Sequence, residues 1–300
     1  MPKPKNVKSH HKPTVSIIGA GRLGTALGLA LNSAGYPIVS LVARRRQRAR
    51  KAARLLDVPL EVLAAEDLHR YQPPDLVLVV VPDDRIAEVA EALGRLETAT
   101  RPFVLHTSGA LSSEVLGNLA KKAWHTGSIH PLASVSDPIN GVEALKNAYW
   151  CIEGDAAATR LARRIVRDLG ARSFSINTKD KPLYHAAAVM TSGNVVALFD
   201  VAMTMLERCG LTRPEAQRVL LPLLQSTALN LTEGAPEEVM TGSFARGDLA
   251  TVKLHLDALQ RKDLDEAMEL YRVLGKHALK LATNKISRDV EKEIRRRLNK

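Results

Sequence analysis

Aromatic residues make up only 4% of this 300-residue chain, and none is interleaved with its basic runs. That excludes a base-stacking platform for single-stranded nucleic acid. Cysteine is as scarce. Cys151 and Cys209 form no metal-ligand or redox spacing, so a disulfide framework and a structural metal site are not expected. Both read as reduced residues in packed surroundings, as in a cytoplasmic protein. No apolar run is long enough to span a bilayer, the most apolar one, residues 76–81, having the length of a strand. No apolar core follows the basic N-terminus, so neither a secretory signal nor a membrane partner is expected. Acidic residues are missing altogether before Asp57.

This last absence accounts for the net charge of +11. Lys3, Lys5, Lys8 and Lys12 supply part of it, and the basic run at 44–54 supplies the rest. Elsewhere the charges balance. Charge confined to two short segments gives weak contact with polyanions but no specific nucleic-acid partner. Residues 1–12 carry Pro, Lys and His without core formers, and read as a disordered basic tail.

What is present begins with Gly19-Ala20-Gly21-Arg22-Leu23-Gly24. A β-branched run at 14–18 precedes it, and Leu23, Ala26, Leu27, Ala30 and Leu31 follow at helical spacing. Strand, glycine turn and helix come in the order that a dinucleotide site requires. Gly19 permits the tight turn, Gly21 lets a pyrophosphate approach the backbone, and Gly24 lets helix pack on strand. The helix start offers free N–H groups to the phosphates. A second strand is predicted at 37–43. At its end an NAD site would place an acid for the ribose hydroxyl, but here stand Arg44, Arg45 and Arg46. Guanidinium groups there pair with a 2′-phosphate, so the expected cofactor is NADP, held by Arg44 and Arg45. The later arginines read as a solvated helix start.

Residues 13–178 alternate strand and helix patterns, which argues an α/β domain with a doubly wound parallel, Rossmann-like sheet. Further strands are predicted at 76–81 and 103–106, near Ile129, at 149–152 and at 172–176. From 179 to 300 the chain reads as an all-α domain. Its first helix starts with Asp180 as N-cap and Pro182 in the first turn, and runs close to thirty residues before stopping at Gly210. Ile286, Val290, Ile294 and Leu298 form a packing stripe near the end.

Several stretches resemble one superfamily: GAGRLG (19–24), VVVPDD (79–84), HTSGALSSEVL (106–116), GSIHPLAS (127–134), KPLYHAAAVMTSGNVVAL (181–198) and TGSFARGDLATVKLHLDAL (241–259). The chain resembles the two-domain oxidoreductases of the 6-phosphogluconate dehydrogenase-like superfamily. Within it, the resemblance is to the group with a Rossmann-like N-terminal domain and a C-terminal domain of unknown function 2520. His130-Pro131 resembles a prephenate dehydrogenase motif. Thr191-Ser192-Gly193-Asn194 resembles the start of the dimerising helix in pyrroline-5-carboxylate reductases. The resemblance implies a small-molecule substrate and a homodimer through the C-terminal domain. The hydroxyacid dehydrogenases of the superfamily carry Lys-x-x-x-Asn on the long helix. Here Met190 stands four before Asn194, while Lys181 and His185 repeat the spacing without the Asn.

Ligands bind beyond the carboxyl ends of strands in such sheets, which points to Val81, Pro82, His106, Ser108 and His130. A reductase needs a group to protonate the atom that gains charge. His130 is the first candidate, with a turn histidine fixed by Pro131 as the equal alternative. His106 is either catalytic or a satisfied buried histidine, and Ser108 lines the site or caps the following helix. Lys181, His185 and Ser192 share one helix face, either lining a cleft, where Lys181 and His185 are further catalytic candidates, or solvated at the helix start. Thr241 and Arg246 are candidates to hold a substrate carboxylate, surface pairing being the alternative for Arg246. Two functions of different class follow: an NADP-dependent oxidoreductase acting on a small oxo or imino acid, or an NADP(H)-binding sensor or scaffold without catalysis.

Overall fold

The short β-branched runs become strands of one eight-stranded sheet in a computed structural model that describes residues 11–282 and 284–300. The strands are β1 (Val15–Ile18), β2 (Ile38–Ala43), β3 (Glu61–Ala64), β4 (Leu76–Val79), β5 (Phe103–His106), β6 (His125–Pro131), β7 (Tyr149–Gly154) and β8 (Arg172–Phe174). Their order is β3-β2-β1-β4-β5-β6-β7-β8. β1 to β6 are parallel, as expected. β7 departs from the fully parallel sheet: Pro131 pairs with Trp150 and Gly127 with Gly154, so it runs antiparallel to β6. The cause is the connection. α5 (Pro138–Asn147) returns the chain to the end of β6 that it left, and Leu132 N–H bonds the Tyr149 carbonyl there. β8 is parallel to β7.

Side chains alternate between two cores, as the period of a strand requires. Ile17, Leu76, Leu78 and Leu105 join α1 (Arg22–Ser33), α2 (Arg46–Leu56), α5 and α6 (Ala156–Asp168) on one face. Ile18, Val77, Val79 and Val104 join α3 (Asp83–Gly94) and the short α4 (Gly117–Ala120) on the other. β3 is an edge strand paired only with β2, and its Glu61 is exposed. It carries no continuous apolar run, which is why the sequence pattern does not announce it.

The chain divides into two compact units, the first ending at Met190. It therefore keeps α7 (Lys181–Thr191) up to its last residue, beyond the boundary at 178 expected from sequence. Lys12, assigned to the tail from sequence, is tied to this unit: its ammonium lies 4.7 Å over the Tyr36 ring and 3.6 Å from Asp168. Residues 1–10, the rest of that expected tail, lie outside the described residues.

The second unit is all helix: α8 (Gly193–Glu207), α9 (Arg213–Glu233), the short α10 (Pro236–Val239) and α11 (Ser243–Arg246), α12 (Leu249–Arg261), α13 (Asp265–Ala282) and α14 (Arg288–Leu298). Val252, Leu256, Leu259, Met268 and Leu279 form its core with Ile294 and Leu298, so the C-terminal stripe packs as expected. The long helix is not continuous. A 3-10 turn, Thr178–Asp180, leads into α7, so Asp180 lies in the helical path rather than capping it. Ser192 then breaks the path, with φ −117° and ψ −83°. Gly210, at φ +99°, does follow the end of α8. By length and mean hydropathy (1.5), residues 178–207 also pass as a candidate membrane span. This corrects the expectation that no such segment exists: the apolar residues are spread through a helix rather than gathered in one run. Cys151 is buried, but Cys209 is exposed rather than packed.

Candidate functional site

The strand order reverses between β1 and β4, the place where open α/β sheets bind ligands. The loops beyond these strands, β5, β6 and one side chain of α7 line a cavity of about 310 Å³. Gly21, Arg22, Leu23 and Gly24 come from the first loop, Val80, Val81 and Asp83 from the second. Thr107, Ser108 and Gly109 follow β5, His130 lies on β6, and His185 on α7.

The glycine loop fits a dinucleotide by its geometry. Gly19 has φ +121°, and a Cβ there would fall 2.0 Å from the Val80 carbonyl oxygen. A Cβ on Gly24 would fall 1.9 Å from the Gly19 carbonyl oxygen. At Gly21, by contrast, a Cβ would meet nothing within 4 Å, so the backbone stands open to a ligand. No side chain caps α1 and no acid sits in its first turn. Its positive end is left for an anion. Ala20 belongs to the same turn, and Pro82 occupies the N-cap position of α3.

The arginine run divides. Asp67 holds Arg46 at 2.6 Å and Arg70 at 2.6 Å, and accepts the Ala64 N–H at 2.8 Å. Arg44 and Arg45 are exposed and have no ion pair among the described residues.

Beneath the cavity lies a polar cluster. Lys181, fully buried, donates to the Ser108 carbonyl at 3.0 Å and to Ser128 Oγ, and stands 3.5 Å from the Glu153 carboxylate. Glu153 also accepts from Ser113 N–H at 2.8 Å and Ser113 Oγ at 2.7 Å. Burial pulls the Lys181 pKa down, and the Glu153 carboxylate counters it. Lys181 is thus neither solvated nor on the cavity wall. It fixes the loop that is on the wall.

His130 and His185 meet edge to face, ring centres 5.5 Å apart, over Gly109. A Cβ on Gly109 would lie 2.4 Å from His185 Nδ1 and 2.8 Å from His130 Nε2. His130 Nδ1 lies 2.7 Å from the Tyr184 hydroxyl. Burial, then the neighbouring His185 and Lys181, lower the His130 pKa to about 4. The ring is neutral at pH 7 and offers a hydrogen bond rather than a positive charge. His106 is fully buried, takes the Ser108 N–H on Nδ1 at 3.2 Å, and is held at about 3, mainly by burial and then by Lys181. It is off the cavity wall, and its buried Nε2 has no hydrogen-bond partner among the described residues, so it is buried without being fully satisfied. Ser108 Oγ accepts from Ala110 and Leu111 N–H groups, closing the turn, while its residue still lines the cavity.

Ser192, Asn194, Thr241 and Arg246 belong to the second unit. The break at Ser192 separates it from the face that Lys181 and His185 share. Arg246 ends α11 and is exposed, and Asp248 caps α12 through the Thr251 N–H. Sequence reasoning passed over Gly109 and Glu153. Glu153 left a signal, a lone acid inside the apolar strand 149–152 and its end. Gly109 left only its place after Thr107-Ser108.

Residues 1–131 match the family profile of a Rossmann-like domain, and residues 148–278 that of a domain of unknown function, DUF2520. A glycerol-3-phosphate dehydrogenase [NAD(P)+] of Paramagnetospirillum magneticum is 28% identical over 251 residues, 78% of this chain and 87% of that protein. A solved protein of Thermotoga maritima, TM-score 0.70, is 25% identical and covers 90% of this chain and 99% of its own. A candidate NADP oxidoreductase of Bacteroides fragilis, TM-score 0.72, is 24% identical over 90% and 98%. Pyrroline-5-carboxylate reductases and a prephenate dehydrogenase share the fold alone, at 16% identity or less.

Proposed function

For a chain that joins a Rossmann-like domain to a domain of unknown function 2520, we propose an NADP-dependent oxidoreductase acting on a small oxo or imino acid. One observation carries this reading: the open glycine cradle and the pair His130 and His185 line the same cavity. A relative over most of the chain is an NAD(P)-dependent dehydrogenase, which supports the class. The cofactor, when bound, supplies the hydride. Gly19, Gly21, Gly24 and the first turn of α1 would hold its pyrophosphate, and Arg44 and Arg45 its 2′-phosphate. Val81, Thr107 and Ser108 would border the reacting end. His130 would hold a proton at Nε2 against the oxygen or nitrogen that gains charge, with His185 beside it. Ser192, Asn194, Thr241 and Arg246 enter the proposal by their sequence alone, as substrate contacts.

The alternative, an NADP(H)-binding sensor or scaffold, has one observation in its favour. Lys181, the lysine nearest the superfamily's Lys-x-x-x-Asn pattern, is tied to Glu153 and Ser128 instead of facing the cavity.

NADPH titration followed by its oxidation with a panel of 2-oxo acids and cyclic imines separates the two. Turnover on a panel member that falls at least a hundredfold in His130→Gln is expected. Tight NADPH binding with no turnover on any member transfers the case to the sensor. NADPH is expected to bind at least tenfold more tightly than NADH, and Arg44→Asp to narrow that gap. Equal affinities in the unchanged protein would remove the 2′-phosphate assignment. We further propose a homodimer through the helical unit, where Val196, Val219, Leu223, Leu229 and Leu231 are each more than half exposed.

A further inference from the structure

Tyr184 has no part in the proposal above, yet its hydroxyl is 2.7 Å from Nδ1 of His130, the ring nitrogen other than the one against Gly109. Its ring meets His130 edge-on at 5.6 Å and Phe174 at 5.9 Å. One turn earlier on the same helix, Lys181 bonds the Ser108 carbonyl and Ser128, so α7 is fixed where Tyr184 leaves it. The hydroxyl also interacts with the Cys151 thiol, and Cys151 sits opposite His130 across β6 and β7.

These neighbours decide where the protons lie. An imidazole nitrogen is a strong acceptor, whereas a thiol is weak both as donor and as acceptor. The phenolic O–H therefore goes to Nδ1, and the thiol S–H turns to the phenolic oxygen. A neutral imidazole carries one ring proton, which then stands on Nε2. Nε2 is the atom beside Gly109 on the cavity wall. Burial raises the Tyr184 hydroxyl above the ordinary tyrosine range, so it remains a donor throughout the pH range of an assay.

We propose that Tyr184 is a positioning residue for His130: its O–H fixes the imidazole as the Nε2–H tautomer and aims that proton at the substrate atom that gains charge. The purpose rests on the oxidoreductase reading, and the tautomer does not. Without the phenol, the ring can present a lone pair to the cavity as readily as an N–H, and only the N–H stabilises developing negative charge.

The test uses 15N-labelled full-length protein with NADPH added, as wild type, Tyr184→Phe and His130→Gln. Long-range 1H–15N spectra assign the His130 nitrogens by their loss in His130→Gln. In the wild type Nε2 is expected protonated and Nδ1 shifted upfield as a hydrogen-bonded acceptor. In Tyr184→Phe the acceptor signal moves downfield, toward that of an unbonded imidazole. With a substrate from the panel, Tyr184→Phe is expected to lower kcat about tenfold while KM and NADPH affinity stay within about twofold. Phe keeps both ring contacts, and matching thermal unfolding curves establish that the variant is folded. A wild-type proton on Nδ1, or identical spectra in wild type and variant, overturns the proposal. A tautomer change as expected, with turnover that survives His130→Gln, overturns the catalytic assignment of His130 and leaves the hold of Tyr184 on it intact.

Discussion

Gly109 has no room for a side chain because two imidazoles occupy the place where its Cβ would stand. Gly109→Ala must push His130, His185 or the loop aside. Overpacking of this kind costs about 1–3 kcal/mol, and turnover is expected to fall more than NADPH affinity. Unchanged thermal stability and turnover in this variant would remove the close approach. The histidines also set a pH dependence. His130 and His106 titrate at about 4 and about 3 in the folded chain against 6.5 when unfolded. Between pH 6.5 and 4 the unfolded chain binds protons that the folded chain refuses. Their stabilising share is whole above pH 6.5 and is lost as the pH falls toward 4. The titratable groups that act on His130 include His185, Lys181, His106 and the Tyr184 hydroxyl, with Cys151 opposite it across β6 and β7. Urea unfolding should show His130→Gln flattening the loss between pH 7 and 5 by about 2 kcal/mol. An unaltered slope would mean that His130 is already protonated or solvated.

At the scale of elements, α7 carries three consecutive anchors to strand ends: Lys181 to Ser108 and Ser128, Tyr184 to His130, and His185 over Gly109. The ion pair beneath is the costly one to break. Lys181→Met strands the Glu153 carboxylate among buried groups, and about 3–5 kcal/mol of stability is expected to go with it. Lys181→Met with Glu153→Leu should recover most of that loss in chemical denaturation. No recovery would show that the loss came from the Ser108 and Ser128 bonds instead. Much of this was legible in sequence. The glycine turn, the strand ends at His106 and His130 and the helical face of Lys181 and His185 follow from periodicity and residue chemistry. β3 and the direction of β7 did not, because an edge strand lacks the apolar run of a buried one, and strand direction is set by where a connection returns. Nor did the break at Ser192, since Ser-Gly in an apolar pattern leaves the period intact. The role of Lys181 was misjudged for a related reason: spacing tells which face a residue shares, not that an acid from a distant strand waits there.

Over the whole molecule, charge and apolar surface are distributed unequally. Within the basic run that supplies much of the excess positive charge, Arg46 is ion-paired with Asp67, while Arg44 and Arg45 stay exposed at the end of β2. The helical unit leaves Val196 70%, Leu223 63% and Leu229 65% exposed, more apolar surface on two helices than scattered single residues account for. If a second copy covers them, sedimentation of the unchanged protein gives a dimer, and Leu223→Glu with Leu229→Glu gives a monomer. A monomer at micromolar concentration before any substitution would end that proposal. The seam between the units has a practical consequence. It falls after Met190, inside a helical stretch rather than in the loop before it. A chimera that exchanged helical domains between relatives at residue 178 would hand Lys181, Tyr184 and His185 to the incoming partner and leave Glu153 with a stranger's helix. A graft made after Met190 would carry the three anchors with the sheet that shaped them, so the two splice points should differ sharply in yield of soluble protein.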